Sequence, residues 1–231
     1  TTLIGLLLGW HRPSDGAVLV DGTALNESRL DPLRSETAWI DPSVHIWNRS
    51  LLENVLYGSE SGMARELPGV VDSADLRDLI AALPSGLQTR AGENGSILSG
   101  GEGQRVRMAR ALLRRDARLV IMDEPFRGLD RSQRKRLLAA ARKWWLDATV
   151  ICITHDMDVT TRFDRVVVMD RGRIVAQGDP QKLMENAQSA YVSMLRSERL
   201  LEEELFGATH WRRLRLNEGG LSSPEAQEPA P

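Results

Sequence analysis

Two largely apolar runs with a helical segment between them constrain the fold of this chain more than any other feature. Residues 119–122 (LVIM) and 149–154 (TVICIT) lack the polar alternation of a half-buried strand, which is typical of strands buried on both faces of a sheet. Residues 132–146 place apolar side chains at helical spacing. Because parallel strands need a crossover connection, this order predicts parallel pairing in an α/β fold.

The rest of the chain alternates helix and strand signals in the same way. Residues 3–10 predict a short helix and residues 17–20 a short strand, and residues 50–115 are mainly helical in pattern. Residues 165–177 predict a hairpin, which a long charged helix follows. From Glu218 onward the composition predicts a disordered tail.

Composition excludes several classes of protein. With 30 basic and 32 acidic side chains among 231 residues, the chain lacks the charge of a nucleic-acid-binding domain. Its longest apolar stretch, residues 3–10, is far shorter than the ~20 residues that span a bilayer. The single cysteine, Cys152, cannot form an internal disulfide, which favours a reducing compartment.

A glycine-rich helix start gives the first chemical signal. In residues 98–105 (LSGGEGQR), Ser99 and Glu102 match a capping box, so a helix begins here. Gly100 and Gly101 leave backbone N–H groups accessible, and these groups together with the helix dipole favour an anion. The capping box alone fits an ordinary helix start equally well, whereas the whole string is much more specific.

An acidic pair follows the first buried strand. Asp123 and Glu124 stand at the carboxyl end of residues 119–122, where α/β folds bind their ligands. One carboxylate can hold Mg²⁺ and the next can orient an attacking water. An isolated acidic pair is often only a strand end. Here the glycine-rich helix start, one short helix upstream, makes that reading the weaker one.

Together these segments resemble the signature and Walker B motifs of the ABC transporter ATPase family, over roughly residues 1–185. The resemblance implies a P-loop NTPase (RecA-like) fold, α/β with a parallel-sheet core and an inserted α-helical subdomain, and it implies ATP and Mg²⁺ as cofactors. It implies that Asp123 binds magnesium, that Glu124 is the catalytic base and that His155 contacts the γ-phosphate. Residues 126–130 resemble the family's D-loop. The residues implied to contact nucleotide are Ser99, Gly100, Gly101, Gln104 and, in the D-loop, Asp130.

Residues 89–95 (TRAGENG) by themselves are a polar loop with two turn glycines. They nevertheless resemble the X-loop of exporter ATPases, and residues 50–58 and 83–89 strengthen that resemblance. It implies ATP hydrolysis that powers export at the cytoplasmic face of the cell (inner) membrane. The implied partners are a second nucleotide-binding domain, in a homo- or heterodimer, and a transmembrane exporter domain fused upstream; nucleic acid is not among them.

The chain departs from the family at its phosphate-binding loop. The pattern G-x-x-x-x-G-K-[ST] is absent, and the first of only three lysines is Lys135, beyond the acidic pair. Thr1 and Thr2 resemble the residues after the motif's lysine, which implies nucleotide contact for both and magnesium contact for Thr1. We therefore expect a chain that begins inside the motif, without the family's first strands, and that is inactive alone.

A second departure lies at Pro42, where exporter ATPases place a glutamine that touches Mg²⁺ or the attacking water. Proline has neither a side-chain oxygen nor an N–H, so it cannot take this role. Asp41 is the candidate replacement, since a carboxylate is a better magnesium ligand than an amide. Slow or altered coupling to the membrane domain is an expected consequence.

The predicted organisation has four parts. Residues 1–50 form a partial ATPase core with the remnant of a β-subdomain, and residues 51–116 form the helical subdomain with X-loop and signature motif. Residues 117–205 complete the core and end in a helix, and residues 206–231 form the disordered tail. Two other functions stay open: a degenerate domain that lends its signature motif to a partner's ATP site, and a soluble ABC ATPase outside transport.

Overall fold

The computed structural model describes residues 2–59, 63–206, 215–217 and 220–222. The chain divides into two compact units, Thr1–His155 and Asp156–Pro231. In the first unit the helices are α1 (Thr2–Leu7), α2 (Glu27–Ser35), α3 (Leu51–Leu56), α4 (Leu67–Ser73), α5 (Arg77–Ala82), α6 (Gly100–Leu112) and α7 (Arg131–Trp144), with 3₁₀ turns at Met63–Glu66, Gly86–Gln88 and Glu93–Gly95. The strands are β1 (Leu19–Val20), β2 (Thr23–Ala24), β3 (Thr37–Ile40), β4 (Leu119–Asp123) and β5 (Thr149–Ile153).

A parallel sheet in the order β3-β4-β5 forms the centre of the first unit. Ile40 pairs with Met122, and Met122 pairs with Cys152, so the three carboxyl ends meet at one edge. All five residues of β4 are buried. Helix α7 connects β4 to β5, which confirms the predicted strand–helix–strand unit.

The predicted full burial of residues 149–154 is wrong. Thr149 is exposed, and the other four residues of β5 are only half-buried. Within the described ranges β5 pairs with β4 alone, so one of its edges has no neighbouring strand. An apolar run therefore identifies a strand correctly here but overestimates how much of the strand is covered.

Helix α1 packs on the sheet and confirms the predicted N-terminal helix. Ile4 and Leu8 are buried in one apolar cluster with Leu119 and Ile121, which share one face of β4. The helix ends at Leu7, before Gly9 with its φ of 71°. A side chain at Gly9 would also lie 2.5 Å from Leu30.

A buried asparagine ties α3 to the segment after β3. Nδ2 of Asn54 donates to the carbonyls of Trp47 (2.9 Å) and Ser50 (3.0 Å), and its Oδ1 accepts the N–H of Trp47 (2.8 Å). Nε of Arg110, on α6, donates to the carbonyl of Asn54 at 2.8 Å, and burial lowers the pKa of its guanidinium. Because buried polar groups need partners, this network fixes residues 47–50 against α3 and fixes α3 against α6.

Helix α7 begins at a capping box. Oδ1 of Asp130 accepts the N–H of Gln133 (2.8 Å) and the hydroxyl of Ser132 (2.7 Å). We expect Asp130→Ala to lower the Tm by roughly 2–4 °C, because the first turn of the helix loses its cap, whereas Asp130→Asn keeps most of the stability. Thermal unfolding followed by circular dichroism measures the difference, and equal Tm values for the two variants would contradict the assignment.

The same cap has a pH signature. The hydrogen bonds from Gln133 and then Ser132 lower the pKa of Asp130 in the folded protein. A lowered folded-state pKa stabilises the fold above the ordinary value of 3.8, and this contribution is lost as the pH falls through the lowered value. The Tm gap between the wild type and Asp130→Ala should therefore shrink as the solution is acidified below that value.

The second unit holds the predicted hairpin, but the single long helix predicted after it is divided into two, Pro180–Glu185 and Ala190–Phe206. Strands β6 (Val166–Asp170) and β7 (Arg173–Gly178) pair antiparallel, and the turn residues Arg171 and Gly172 both have positive φ, which confirms the hairpin. The unit's other elements are α8 (Met157–Thr160), α9 (Pro180–Glu185), α10 (Ala190–Phe206), β8 (Arg215–Asn217) and β9 (Gly220–Ser222). The hydroxyl of Tyr191, on α10, lies 2.8 Å from Oγ1 of Thr160.

Most of the predicted tail, residues 206–231, lies outside the described residues, so its disorder stays a prediction. The two described pieces of it, β8 and β9, pair antiparallel. In the described ranges no helix has the length and apolar character that a membrane crossing requires.

Candidate functional site

The carboxyl edge of the parallel sheet borders a cleft of about 440 Å³. Asp41 follows β3 directly, Asp123 is the last residue of β4, and His155 lies two residues beyond β5. Since Ile40 pairs with Met122, Asp41 and Asp123 follow at matching positions of two neighbouring strands. The residues that line the cleft are Asp41, Pro42, Ser43, Asp123, Glu124 and Arg127.

Glu124 has a left-handed backbone, with a φ of 44°, which is uncommon for a residue with a side chain. Its N–H donates to the carbonyl of Ile153 at 2.8 Å, so it stays tied to β5 just where it leaves the sheet. Such a conformation costs about 1–3 kcal/mol and persists only where the surroundings determine it. Strain of this kind is frequent at functional sites, and here it coincides with the residue predicted as catalytic base.

Glu124 and His155, the two predicted catalytic residues, are in direct contact. Oε1 of Glu124 lies 2.9 Å from Nδ1 of His155 and accepts the backbone N–H of His155 at 3.2 Å. An ionised carboxylate only accepts hydrogen bonds, so Nδ1 carries the proton in this arrangement. The imidazole is 83% exposed, which leaves Nε2 accessible, and Nε2 donates to a phosphate oxygen when the ring carries its second proton.

The two aspartates of the cleft are mostly buried, each with 8% exposure. One carboxylate oxygen of Asp41 accepts the N–H of Ser43 at 2.6 Å. The other oxygen of Asp41 has no hydrogen-bond partner in the described part of the chain. A carboxylate oxygen held at low exposure beside a second carboxylate is suited to a cation.

These oxygens fit Mg²⁺, which prefers hard oxygen ligands. Across the described residues, no cluster of three or more acidic, histidine or cysteine side chains could hold a metal ion by itself. Mg²⁺ is usually bound by one or two carboxylates together with waters and substrate phosphates, so such a cage is not needed. Asp123 and Asp41 would supply the protein's share of the ligands.

Ser99 caps the N-terminus of α6, as the sequence predicts. Its Oγ accepts the N–H of Glu102 at 3.3 Å, and Oε2 of Glu102 accepts the N–H of Ser99 at 2.7 Å. The hydroxyl proton of Ser99 is not used in this box and can be donated to an anion. Gly100 borders open space, because a Cβ built there would have no atom within 4 Å.

Gly101 contacts the D-loop of the same chain. A Cβ on Gly101 would lie 2.6 Å from the carbonyl oxygen of Gly128 and 3.0 Å from Cδ2 of Leu129. Gly128 has a φ of 77°, and a Cβ on it would lie 3.1 Å from the nitrogen of Gly101. The start of α6 and the D-loop therefore approach each other through two glycines, which fixes the position of one against the other.

Gln104, Asp130 and Thr2, which are also predicted to contact nucleotide, are not among the residues that line the cleft. Gln104 is 2% exposed on the packed face of α6, and its Nε2 has no hydrogen-bond partner among the described residues. The carboxylate of Asp130 is engaged in the cap of α7. Thr2 is exposed at the start of α1, and Thr1 lies outside the described residues. Nucleotide contact by these four residues stays a prediction.

Arg127 lines the cleft, although the D-loop pattern assigns it no role. Its N–H meets the carbonyl of Glu124 at 3.4 Å, so a tight turn brings the chain back toward the sheet edge. The available signal was a cationic residue three positions after the acidic pair. Spacing alone, however, does not show which way such a turn folds.

A family model described as ABC transporter matches residues 1–127, more than half of the chain. The ATP-dependent lipid A-core flippase of Alkalilimnicola ehrlichii is 38% identical over 187 residues, which are 80% of this chain and 32% of the flippase. The heterocyst differentiation ATP-binding protein HepA of Nostoc sp. is 36% identical over 185 residues, which are 80% of this chain and 30% of that protein. The chain thus spans about a third of the length of these relatives.

Among solved structures, a bacterial Atm1-family ABC exporter with ATP bound matches with a TM-score of 0.78 and 28% identity, over 85% of this chain and 34% of that chain. Its similarity and the parallel sheet β3-β4-β5 agree with the predicted P-loop NTPase fold. The family match, the order of the motifs and this fold lead to the same conclusion: the chain belongs to the ABC transporter family.

Proposed function

We propose that this chain is the ATP-binding and ATP-hydrolysing domain of an ABC exporter and that it powers transport across a membrane. The observation that carries the proposal is the contact between Glu124 and His155 at the cleft that Asp123 also lines. The residues proposed as base, phosphate donor and magnesium ligand thus come together at one edge of the sheet. The exporters and flippases among the similar proteins support it.

In this proposal ATP lies in the cleft with Mg²⁺ held by Asp123 and Asp41. The bound cation supplies charge neutralisation at the phosphates. Glu124 accepts a hydrogen bond from the attacking water and takes its proton as the bond from oxygen to the γ-phosphorus forms. The bond from the γ-phosphorus to the bridging oxygen breaks, and ADP leaves with that oxygen. His155 donates to the γ-phosphate through Nε2 while its Nδ1–H holds Glu124 in place.

Two such domains together would enclose two ATP molecules. Ser99 and Gly100 support this arrangement, since their free hydroxyl proton and open surface do not line this chain's own cleft. A helix start with accessible N–H groups suits a phosphate held by another domain. A homodimer and a heterodimer meet this requirement equally well.

The other proposed partner is a transmembrane exporter domain, fused upstream, with this chain at the cytoplasmic face of the membrane. The length of the relatives supports it, because the matched part is about a third of each. The X-loop, residues 89–95, is the segment proposed to face that domain. The four-part organisation of the chain, with a helical subdomain at residues 51–116, belongs to the same proposal.

Any test of activity needs the ligands to Mg²⁺ and phosphate that a phosphate-binding loop supplies, and these 231 residues do not contain that loop. The 231 residues include no lysine before Lys135 and no glycine-rich phosphate loop. The phosphate loop normally cradles the phosphates with backbone N–H groups and a lysine. We infer that this chain alone binds ATP weakly and is inactive, so tests of binding and hydrolysis require the full-length protein.

A degenerate domain that only lends its signature motif is the second candidate function, and Pro42 in the cleft favours it. Separate Ser99→Ala and Glu124→Gln variants discriminate the two candidates by steady-state phosphate release. The proposed function predicts that both variants lose activity, by at least about tenfold for Ser99→Ala. Loss of activity in the Ser99 variant alone would assign the chain the degenerate role.

A further inference from the structure

Arg127 has a backbone held in place by its neighbours and, among the described residues, a guanidinium without an ion-pair partner. Its neighbours Phe126 and Leu129 are each 4% exposed, and the N–H of Leu129 donates to the carbonyl of Phe126 at 3.1 Å. These anchors hold the turn, whereas Arg127 itself is exposed. Within the described ranges, its guanidinium makes no ion pair or hydrogen bond.

The cleft around it is acidic. Three of the six lining residues are carboxylates, Asp41, Asp123 and Glu124, and Arg127 is the one lining residue with a positive charge. An arginine that served only to neutralise these neighbours would be expected to pair with one of them within 4 Å. No such pair joins Arg127 to the described residues, so its five N–H donors remain available to a ligand.

We propose that Arg127 binds the γ-phosphate of the ATP that occupies this cleft. The inference rests on the proposed function, which places the triphosphate beside Asp123 and Glu124. A guanidinium offers a planar pair of donors that matches two phosphate oxygens, and it stays charged throughout the physiological pH range. In the loose, metaphosphate-like transition state the negative charge is spread over the three equatorial oxygens of the γ-phosphoryl group, and the guanidinium stabilises that charge.

Geometry makes arginine, and not any cation, suited to this position. The turn that carries Arg127 is pinned on one side by the Gly101–Gly128 contact, so the starting point of the side chain is fixed. Less freedom is then lost when the guanidinium meets the phosphate. Lysine would keep the charge but not the two-pronged contact.

The test compares nucleotides that differ only in their phosphates. Equilibrium binding of a non-hydrolysable ATP analogue, ADP and AMP is measured for the full-length wild type, Arg127→Gln and Arg127→Lys. Arg173→Gln is the matched control, because Arg173 is an exposed arginine at the start of β7 and does not line the cleft. Thermal unfolding of each variant checks that the fold is kept.

Arg127→Gln is expected to weaken binding of the triphosphate about tenfold or more, and to change ADP and AMP affinities less than about twofold. Arg127→Lys should recover part of the triphosphate affinity, and Arg173→Gln should leave all three affinities unchanged. Unchanged triphosphate affinity in Arg127→Gln, or equal losses of affinity for all three nucleotides, would overturn the role of Arg127 but would leave the proposed function intact. Absence of nucleotide binding by the wild type would instead contradict the proposed function.

Discussion

In the full-length protein, Glu124→Gln is expected to lower the rate of ATP hydrolysis by at least about 100-fold, because a positioned general base contributes 10²–10⁴-fold. The amide keeps the size of the side chain and can accept a hydrogen bond, but it cannot take the proton of the attacking water. ATP affinity should change less than about threefold, since Glu124 acts on the water and not on the nucleotide. Phosphate release and equilibrium binding, measured on one preparation, separate the two effects.

Glu185→Gln is the matched control for this variant. Glu185 is an exposed glutamate at the end of α9 and does not line the cleft. Its hydrolysis rate should equal that of the wild type. Equal rates for Glu124→Gln and Glu185→Gln would remove Glu124 from the mechanism, and parallel losses of binding and hydrolysis would make its role structural.

Gly101→Ala is expected to destabilise the protein by about 1–3 kcal/mol, the usual cost of forcing an atom into a packed site. The new Cβ would lie 2.6 Å from the backbone carbonyl oxygen of Gly128, an atom that cannot move without its loop. For a chain of this size the loss corresponds to a Tm lower by roughly 2–4 °C per kcal/mol. Differential scanning calorimetry measures the change.

Gly100→Ala provides the comparison at the neighbouring position. Its Cβ would meet no atom within 4 Å, so the Tm should stay the same or rise slightly, as for glycine replaced by alanine in a helix. Because the two substitutions are chemically identical, the difference between them reports the contact with Gly128. If Gly101→Ala were as stable as Gly100→Ala, the start of α6 and the D-loop would not be held together as the structure shows.

Local patterns predicted the elements whose signals lie within a few residues of one another. The buried run of β4, the crossover α7 and the β6–β7 hairpin all follow from apolar spacing and turn residues. Strand β3 was not predicted, because it is only four residues long and its partner β4 lies about 80 residues further along the chain. The partial exposure of β5 likewise depends on which strands lie beside it, which composition does not encode.

The site residues show the same difference between features set by local sequence and features set by distant contacts. Adjacency in the sequence placed Asp123 and Glu124 at the end of β4, and family resemblance added His155. The direct Glu124–His155 contact joins residues 31 positions apart, and the Gly101–Gly128 contact joins the start of α6 to a loop beyond β4. Such contacts are set by tertiary packing. The cleft-facing position of Arg127 escaped prediction for this reason, since it depends on the direction of one turn.

We propose above all that this domain hydrolyses ATP with the cluster at the carboxyl edge of its sheet. Magnesium-dependent phosphate release by the purified full-length protein tests it most directly. We expect steady release from ATP that stops when a chelator removes Mg²⁺ and that falls to background in Glu124→Gln. Wild-type release no faster than that of Glu124→Gln, at saturating ATP and Mg²⁺, would contradict it.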